Sequence, residues 1–276
     1  MRISLADTFG KLAPLINPAA PGDAGFGQRL VDFLGAVAGF DRCVVFAYRG
    51  QARPIALFDT FSEAERHVFV ALYQPGPYLL DPFYRTASTG QVGFWRMREL
   101  APDRFYSSEY YRSYYVKTGL AEEVGFFVRA DDGIMVVLSL MRLKRSGLFP
   151  PAEAAALRAC EPVVSAVIAR HWRGLEGRFD DGAPPAAPVR QRPAASRPVA
   201  VAAWQALSLT AREAHVVDLV LQGHSSESIA WRLGISVGTV KVHRRNVYRK
   251  LRISSQTELL AIYVDRIVAA AGPVPA

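Results

Sequence analysis

The chain has 276 residues, a length that suits two domains of roughly 100–200 residues each, and half of them are apolar, enough for real cores. A formal net charge of +8 points to a polyanion partner, either nucleic acid or an anionic membrane surface. No apolar stretch approaches the ~20 residues of a membrane span, no secretory signal pattern opens the chain, and Cys43 and Cys160 form no CxxC pair of the zinc or redox type, so a cytosolic protein with buried, reduced thiols is expected.

In chain order, the first predicted element is a helix over Gly27–Phe40. Strands follow at Arg42–Tyr48 and Pro54–Asp59, then helices at Ser62–Tyr73, Tyr78–Ala87 and Asp103–Thr118. The runs Glu123–Ala130 and Ile134–Leu143 flank Asp131-Asp132-Gly133 and read as a β-hairpin. A helix from Pro151 to Trp172, with Pro162 as a point of bending, closes the first domain. The order α-β-β-α-α-α-β-β-α predicts an α+β, α-β-α domain with an antiparallel sheet, similar to GAF and PAS sensor folds. It does not suit a phosphorylated receiver domain, which alternates strand and helix around an aspartate.

Between the two hairpins lie Tyr73, Tyr78, Phe83, Tyr84, Phe94, Trp95, Phe105, Tyr106, Tyr110, Tyr111, Tyr114 and Tyr115. Packing explains any one ring taken singly. So many tyrosines, each needing a hydroxyl partner when buried, also suit a ligand pocket with apolar walls and polar handles. Tyr78, Asp81, Phe83, Tyr84, Trp95, Phe105, Tyr110, Tyr111 and Tyr114 are the candidate ligand-binding residues. Asp81, inside the apolar run YLLDPFY, either caps a turn before Pro82 or receives a donor or cation from a ligand. Glu109, Arg112, Glu122 and Glu123 are further polar candidates, for which a solvated helix face is the cheaper account.

From Gly174 to Pro198 the chain reads GLEGRFDDGAPPAAPVRQRPAASRP. Its prolines block helix and sheet ladders, which predicts a linker over 174–202 between a domain at 1–173 and another at 203–270. In the second domain, Thr210 followed by Glu213 has capping-box spacing, Val216, Val217, Val220 and Leu221 share a helical face, and Gly223 stops the helix. A short helix over Ser225–Leu233 buries Ile229, Ala230 and Leu233, and Gly234 makes the turn. Ser236 caps a third helix that turns Val237, Val240, Val247 and Leu251 inward, and a fourth starts near Ser255. The third helix carries Lys241, Arg244, Arg245, Arg249, Lys250 and Arg252 with no acid among them. Such a run is either a solvated basic face or a face for phosphates on both sides of a major groove, and the helix-Gly-helix context favours the groove.

The segment LTAREAHVVDLVLQGHSSESIAWRLGISVGTVKVHRRNVYRKLRISSQTELLAIYV resembles the helix-turn-helix domain of LuxR-type regulators. Leu209, Thr210, Arg212, Glu213, Gly223, Ser225, Ile229, Ala230, Leu233, Ile235, Ser236, Thr239, Val240, Lys241, His243, Asn246, Lys250 and Leu251 fall at that family's spacing. The resemblance implies an all-α four-helix domain, a recognition helix from Ser236 to Leu251, and a fourth helix that contacts a second copy. It places Ser236, Val237, Thr239, Val240, Lys241, His243, Arg244, Arg245, Asn246 and Lys250 at the DNA. By chemistry, Lys241, Arg244 and Lys250 suit phosphates, and Val237 and Thr239 suit base edges. Asn246 suits a phosphate or an intrahelical bond, and His243 a packed or phosphate-facing ring rather than a metal ligand. The chain departs from the family at Ser228, where glutamate is usual, and at His215, where a second acid is usual; both lie on scaffolding helices.

The first domain is similar to the autoinducer-binding domain that precedes such modules. Asp81-Pro82 and Trp95 resemble the family's Asp-Pro and tryptophan, which hold the amide and lactone of an acyl-homoserine lactone, and Tyr78 lies near a pocket tyrosine. The family's upstream Trp and Tyr positions are not cleanly filled here, and EYYRSYYVKTGLAEEVGFFV is not its usual text. A sensor for a different small molecule is therefore expected. The partners expected are double-stranded DNA, that effector, a second copy of the chain and, as an open alternative, RNA polymerase. A first domain that only contacts other proteins is the alternative reading. No GxSxG, HExxH, P-loop or GxGxxG motif is present, and His67, His171, His215, His224 and His243 are scattered, so neither an enzyme nor a cofactor nor a metal site is expected.

Overall fold

A computed structural model describes residues 4–16, 23–50, 52–180, 204 and 207–271. The chain divides into two compact units. The first takes residues 1–67, 83–100 and 119–185, and the second takes 68–82, 101–118 and 186–276.

The first unit is built on a five-stranded sheet with strands β1 (Arg42–Arg49), β2 (Ile55–Asp59), β3 (Gly93–Arg96), β4 (Leu120–Asp131) and β5 (Ile134–Leu143). The order is β2-β1-β5-β4-β3 and every pairing is antiparallel. The β4–β5 hairpin turns where Asp131-Asp132-Gly133 predicts it, with Gly133 in the left-handed region at φ 72°. Alternate residues reach one core: Cys43, Val45 and Ala47 of β1, Val124, Phe126 and Val128 of β4, and Val136, Leu138 and Leu140 of β5. Against them pack α1 (Leu5–Ile16), α2 (Phe26–Val37) and α7 (Pro151–His171) through Leu15, Leu30, Leu34, Leu157, Val164 and Ile168. The other sheet face takes Phe83 from α4 (Pro82–Ser88). A side chain at Gly125 would begin 2.7 Å from the Phe83 ring, so this approach requires the glycine.

The antiparallel α+β architecture is as the sequence predicts, with three differences. Helix α1, the edge strand β3 and the short helix α5 (Met97–Leu100) that follows it are additional elements. Strand β3 is fixed by Arg96, whose guanidinium donates to both carboxylate oxygens of Glu122 on β4, at 2.7 and 2.8 Å, while Glu122 also accepts from Phe149 N–H. Glu122 is thus a buried anchor and not a solvated helix residue. Lastly, Leu175 and Phe179, read as linker, are buried in the core, Leu175 just before a short α8 (Glu176–Asp180) and Phe179 within it. The remainder of the linker, 181–202, lies outside the described residues.

In the second unit, Asp103–Thr118 is not one helix. It runs as a 3-10 turn at Phe105–Ser107, a π turn at Tyr111–Tyr115 and a last turn, α6, at Val116–Thr118. Ser108 breaks the helix: its backbone is extended and its hydroxyl accepts from Tyr111 N–H at 3.1 Å. The helix predicted over Ser62–Tyr73 likewise divides, into α3 (Glu63–Arg66), capped by Ser62, and a π turn at His67–Ala71, and Tyr78–Ala87 divides into a 3-10 turn at Pro77–Leu80 and α4. The C-terminal helices are α9 (Ala211–Gln222), α10 (Ser226–Leu233), α11 (Val237–Leu251) and α12 (Gln256–Ala271).

Candidate nucleic-acid interface

Local chemistry sets each boundary of this bundle. Thr210 accepts from Glu213 N–H and Glu213 accepts from Thr210 N–H, a complete capping box at the start of α9. Gly223 at φ 93° and Gly234 at φ 62° close α9 and α10 in left-handed backbone, as their positions predict. Ser225 caps α10 and Ser236 caps α11, each accepting from the N–H three residues on. Inside, Val216, Ile229, Val240, Val247 and Leu259 are fully buried, and Tyr263 stacks on Trp204. Arg212 donates to the Leu233 carbonyl at 2.6 Å, tying α9 to the end of α10.

With 3.6 residues per turn, the α11 positions that point away from this core recur at three- and four-residue steps. Gly238, Lys241, Val242, Arg245 and Arg249 are exposed on that side, and Arg252 follows at the cap. Arg244 and His243 are half-buried at the edges of the stripe. A narrow cationic stripe around an exposed valine can meet phosphates with its charges and a thymine methyl with its apolar centre. Val242, 43% exposed, is a surface residue that sequence reasoning passed over. The helical spacing from Lys241 to Arg245 was the signal that could have found it.

The family profile "Bacterial regulatory proteins, luxR family" matches residues 207–263, which span these helices. A protein from Aeromonas salmonicida, described as an HTH-type transcriptional regulator in the exeN 3' region, is 31% identical over 191 residues, covering 69% of this chain and 96% of its own. The chain belongs to the luxR family of bacterial regulatory proteins. It is also similar to the response regulator TodT of Pseudomonas putida, 44% identical over 55 residues, which are 20% of this chain and 24% of that protein. Among solved structures it matches the VqsR LBD domain from Pseudomonas aeruginosa, with 24% identity and a TM-score of 0.49 over 60% of this chain and 94% of that one.

Within this luxR-family module, not every residue placed at the DNA by sequence is free to reach it. Val240 is fully buried and builds the core; its side of the helix faces α9 and α10. Lys250 donates to Glu213 Oε2 at 2.6 Å and to the Ser208 carbonyl at 3.3 Å, so its charge serves the α9 capping box. Thr239 exchanges a hydrogen bond with Ser236 at 2.8 Å, and Val237 is half-buried. Asn246 accepts from Arg249 at 3.4 Å, the intrahelical alternative. The family departures are accommodated: Ser228 lies 3.0 Å from the His224 ring, and His215 is exposed.

The candidate ligand residues fall in both units. Phe83, Tyr84 and Trp95 belong to the first; Tyr78, Asp81, Phe105, Tyr110, Tyr111 and Tyr114 belong to the second. Tyr84 donates to the Gly50 carbonyl at 3.1 Å, and the Trp95 indole N–H to the Val92 carbonyl at 3.1 Å. In the second unit the Tyr73 hydroxyl donates to buried Asp81 at 2.7 Å, and Phe105, Tyr110, Tyr111 and Tyr115 pack tilted, edge-on or stacked against one another. Among the described residues there is no His, Cys, Asp and Glu cluster suited to a metal, and no helix long and apolar enough to cross a membrane.

Proposed function

We propose that this luxR-family regulator places α11 in the major groove of double-stranded DNA, with Lys241, Arg245 and Arg249 on phosphates and Val242 at the base edges. The observation that carries the reading is the exposed stripe on α11: three cations at four-residue spacing on a helix that buries Val240 and Val247 in the bundle core. The chain acts as a dimer on two matching half-sites. Residues 1–173 sense a small molecule other than a standard acyl-homoserine lactone, supported by the aromatic content around Asp81 and by a Trp95 N–H already spent on the chain. The mutual packing of Phe105, Tyr110, Tyr111 and Tyr115 favours a second reading, in which this part contacts another protein such as RNA polymerase.

Titration of a labelled duplex with the full chain over a range of salt tests the DNA reading. Affinity should fall steeply with salt, two chains should bind per saturated duplex, and Lys241→Ala should lower the logarithmic slope by about one. A slope unchanged by Lys241→Ala removes that residue from the phosphate contacts.

A further inference from the structure

A cleft of about 340 Å³ lies within the second unit, between residues 104–108 and the C-terminal helices. Contacts on the α9–α10 turn fix its walls. Arg104 N–H donates to the Gly223 carbonyl at 2.9 Å, and Asp103 Oδ1 accepts from Ser225 N–H at 3.0 Å. The two backbones nearly touch: a side chain at Gly223 would begin 2.7 Å from Phe105 Cα. Three cations line the space from two directions, Arg104 on one wall and Lys241 and Arg244 of α11 on the other, and Glu227 is the one acidic residue of the lining.

None of these three cations makes an ion pair among the described residues. Lys250 and Arg96, by contrast, are bonded to Glu213 and Glu122. Like charges gathered around one cavity repel unless an anion enters it. The start of α10 is already occupied, since Ser225 N–H is spent on Asp103 and Ser228 N–H on Ser225 Oγ, so the attraction is built from side chains. A volume of this size takes a small molecule. A phosphate monoester brings close to two negative charges and three strong acceptor oxygens, which suits three cationic donors better than a single carboxylate does. Apart from Val220 and Gly223 the lining is polar, and Ser226, Glu227 and Gln256 offer hydroxyl, carboxylate and amide groups to a hydroxylated body. An acyl chain placed there would leave those groups without water or partners.

We propose that this cleft binds a small hydroxylated phosphate monoester, gripped by Arg104 from one wall and by Lys241 and Arg244 from the other. The inference stands apart from the DNA reading, although Lys241 serves both, so its test is made without DNA.

That test is calorimetric titration of the full chain at constant ionic strength with ribose 5-phosphate, inorganic phosphate and ribose. Ribose 5-phosphate should saturate one site per chain, inorganic phosphate should bind more weakly, and ribose should not bind. Arg104→Ala should lower affinity for the ester about tenfold, the size of one lost hydrogen bond to a charged group. The backbone bond from residue 104 to Gly223 survives this substitution, and an unchanged melting temperature checks that the wall is in place. Lys241→Ala should lose a similar amount, because the ligand touches both walls. Lys117→Ala removes an exposed cation of the same unit outside the cleft and should change nothing. No saturation with ribose 5-phosphate overturns the proposal, as does an equal loss in Lys117→Ala. Inorganic phosphate bound as tightly as the ester overturns the monoester in favour of the free anion. A loss in Lys241→Ala with none in Arg104→Ala places the anion on α11 alone, as a stand-in for a duplex phosphate; the cleft then falls and the DNA reading stands.

Discussion

Burial alone pushes the Glu213 carboxyl up; the Lys250 ammonium and the Thr210 N–H and hydroxyl more than offset it, leaving the group below the ordinary glutamate value. A depressed carboxylate contributes stability above its unfolded pKa of about 4.3 and loses it as pH falls through the folded value. The C-terminal helices should therefore melt at lower temperature once the pH drops below about 4.3, and Glu213→Gln should flatten that part of the profile. At neutral pH Lys250→Ala should cost about 1–3 kcal/mol in chemical denaturation, because it leaves a side chain that is 5% exposed charged and unpaired. A small loss confined to DNA affinity would instead return Lys250 to the phosphate contacts. At this scale the capping box was legible from Thr210 and Glu213, since a cap is made within four residues. Lys250 as the third member was not, because its distance in sequence gives no sign that α11 ends beside the start of α9.

Helix α11 ends on Arg252 in left-handed backbone, φ 55° and ψ 43°, where α9 and α10 end on glycine. A side chain there costs on the order of 1 kcal/mol that glycine avoids. Arg252→Gly should thus raise the urea midpoint by the equivalent of about 0.5–1 kcal/mol and, by removing an exposed cation beside the stripe, weaken duplex binding. A lower midpoint would mean that the arginine makes a contact worth more than the strain it carries. The same local rules explain which elements could be read from sequence. Helices α9 to α11 follow from caps, glycine stops and apolar spacing, and β4 and β5 follow from alternation around a turn. The run Asp103–Thr118 could not be read, because a helical pattern of aromatics is broken by Ser108 and by packing on Gly223, more than a hundred residues away. Strand β3 has four residues and depends on Glu122 of a later strand to hold Arg96.

The polypeptide passes between the two units several times before residue 119, and the short turns at 77–80, 105–107 and 111–115 fall in the unit that also holds the luxR-family helices. On the sensor reading proposed above, an effector would act by favouring one arrangement of the chain over another. Candidate ligand residues were legible as types, a cluster of aromatics around one aspartate, but their division between units was not. Tertiary packing decides it, and alternation or helical spacing says nothing about it. A thermal melt of the full chain against a panel of small amphiphiles, with short- and long-chain acyl-homoserine lactones included, separates the two readings of this region. The lactones should leave the melting temperature unchanged, since the Trp95 indole N–H that the resemblance assigns to the lactone is bonded to Val92. A true effector at a hundredfold its Kd should add about 2.7 kcal/mol, a rise of several degrees for a chain of this size. A lactone that raises the melting temperature would show that Trp95 gives up its loop carbonyl for a ligand. A flat response to the whole panel would assign the tyrosines to packing and this part of the chain to contact with another protein.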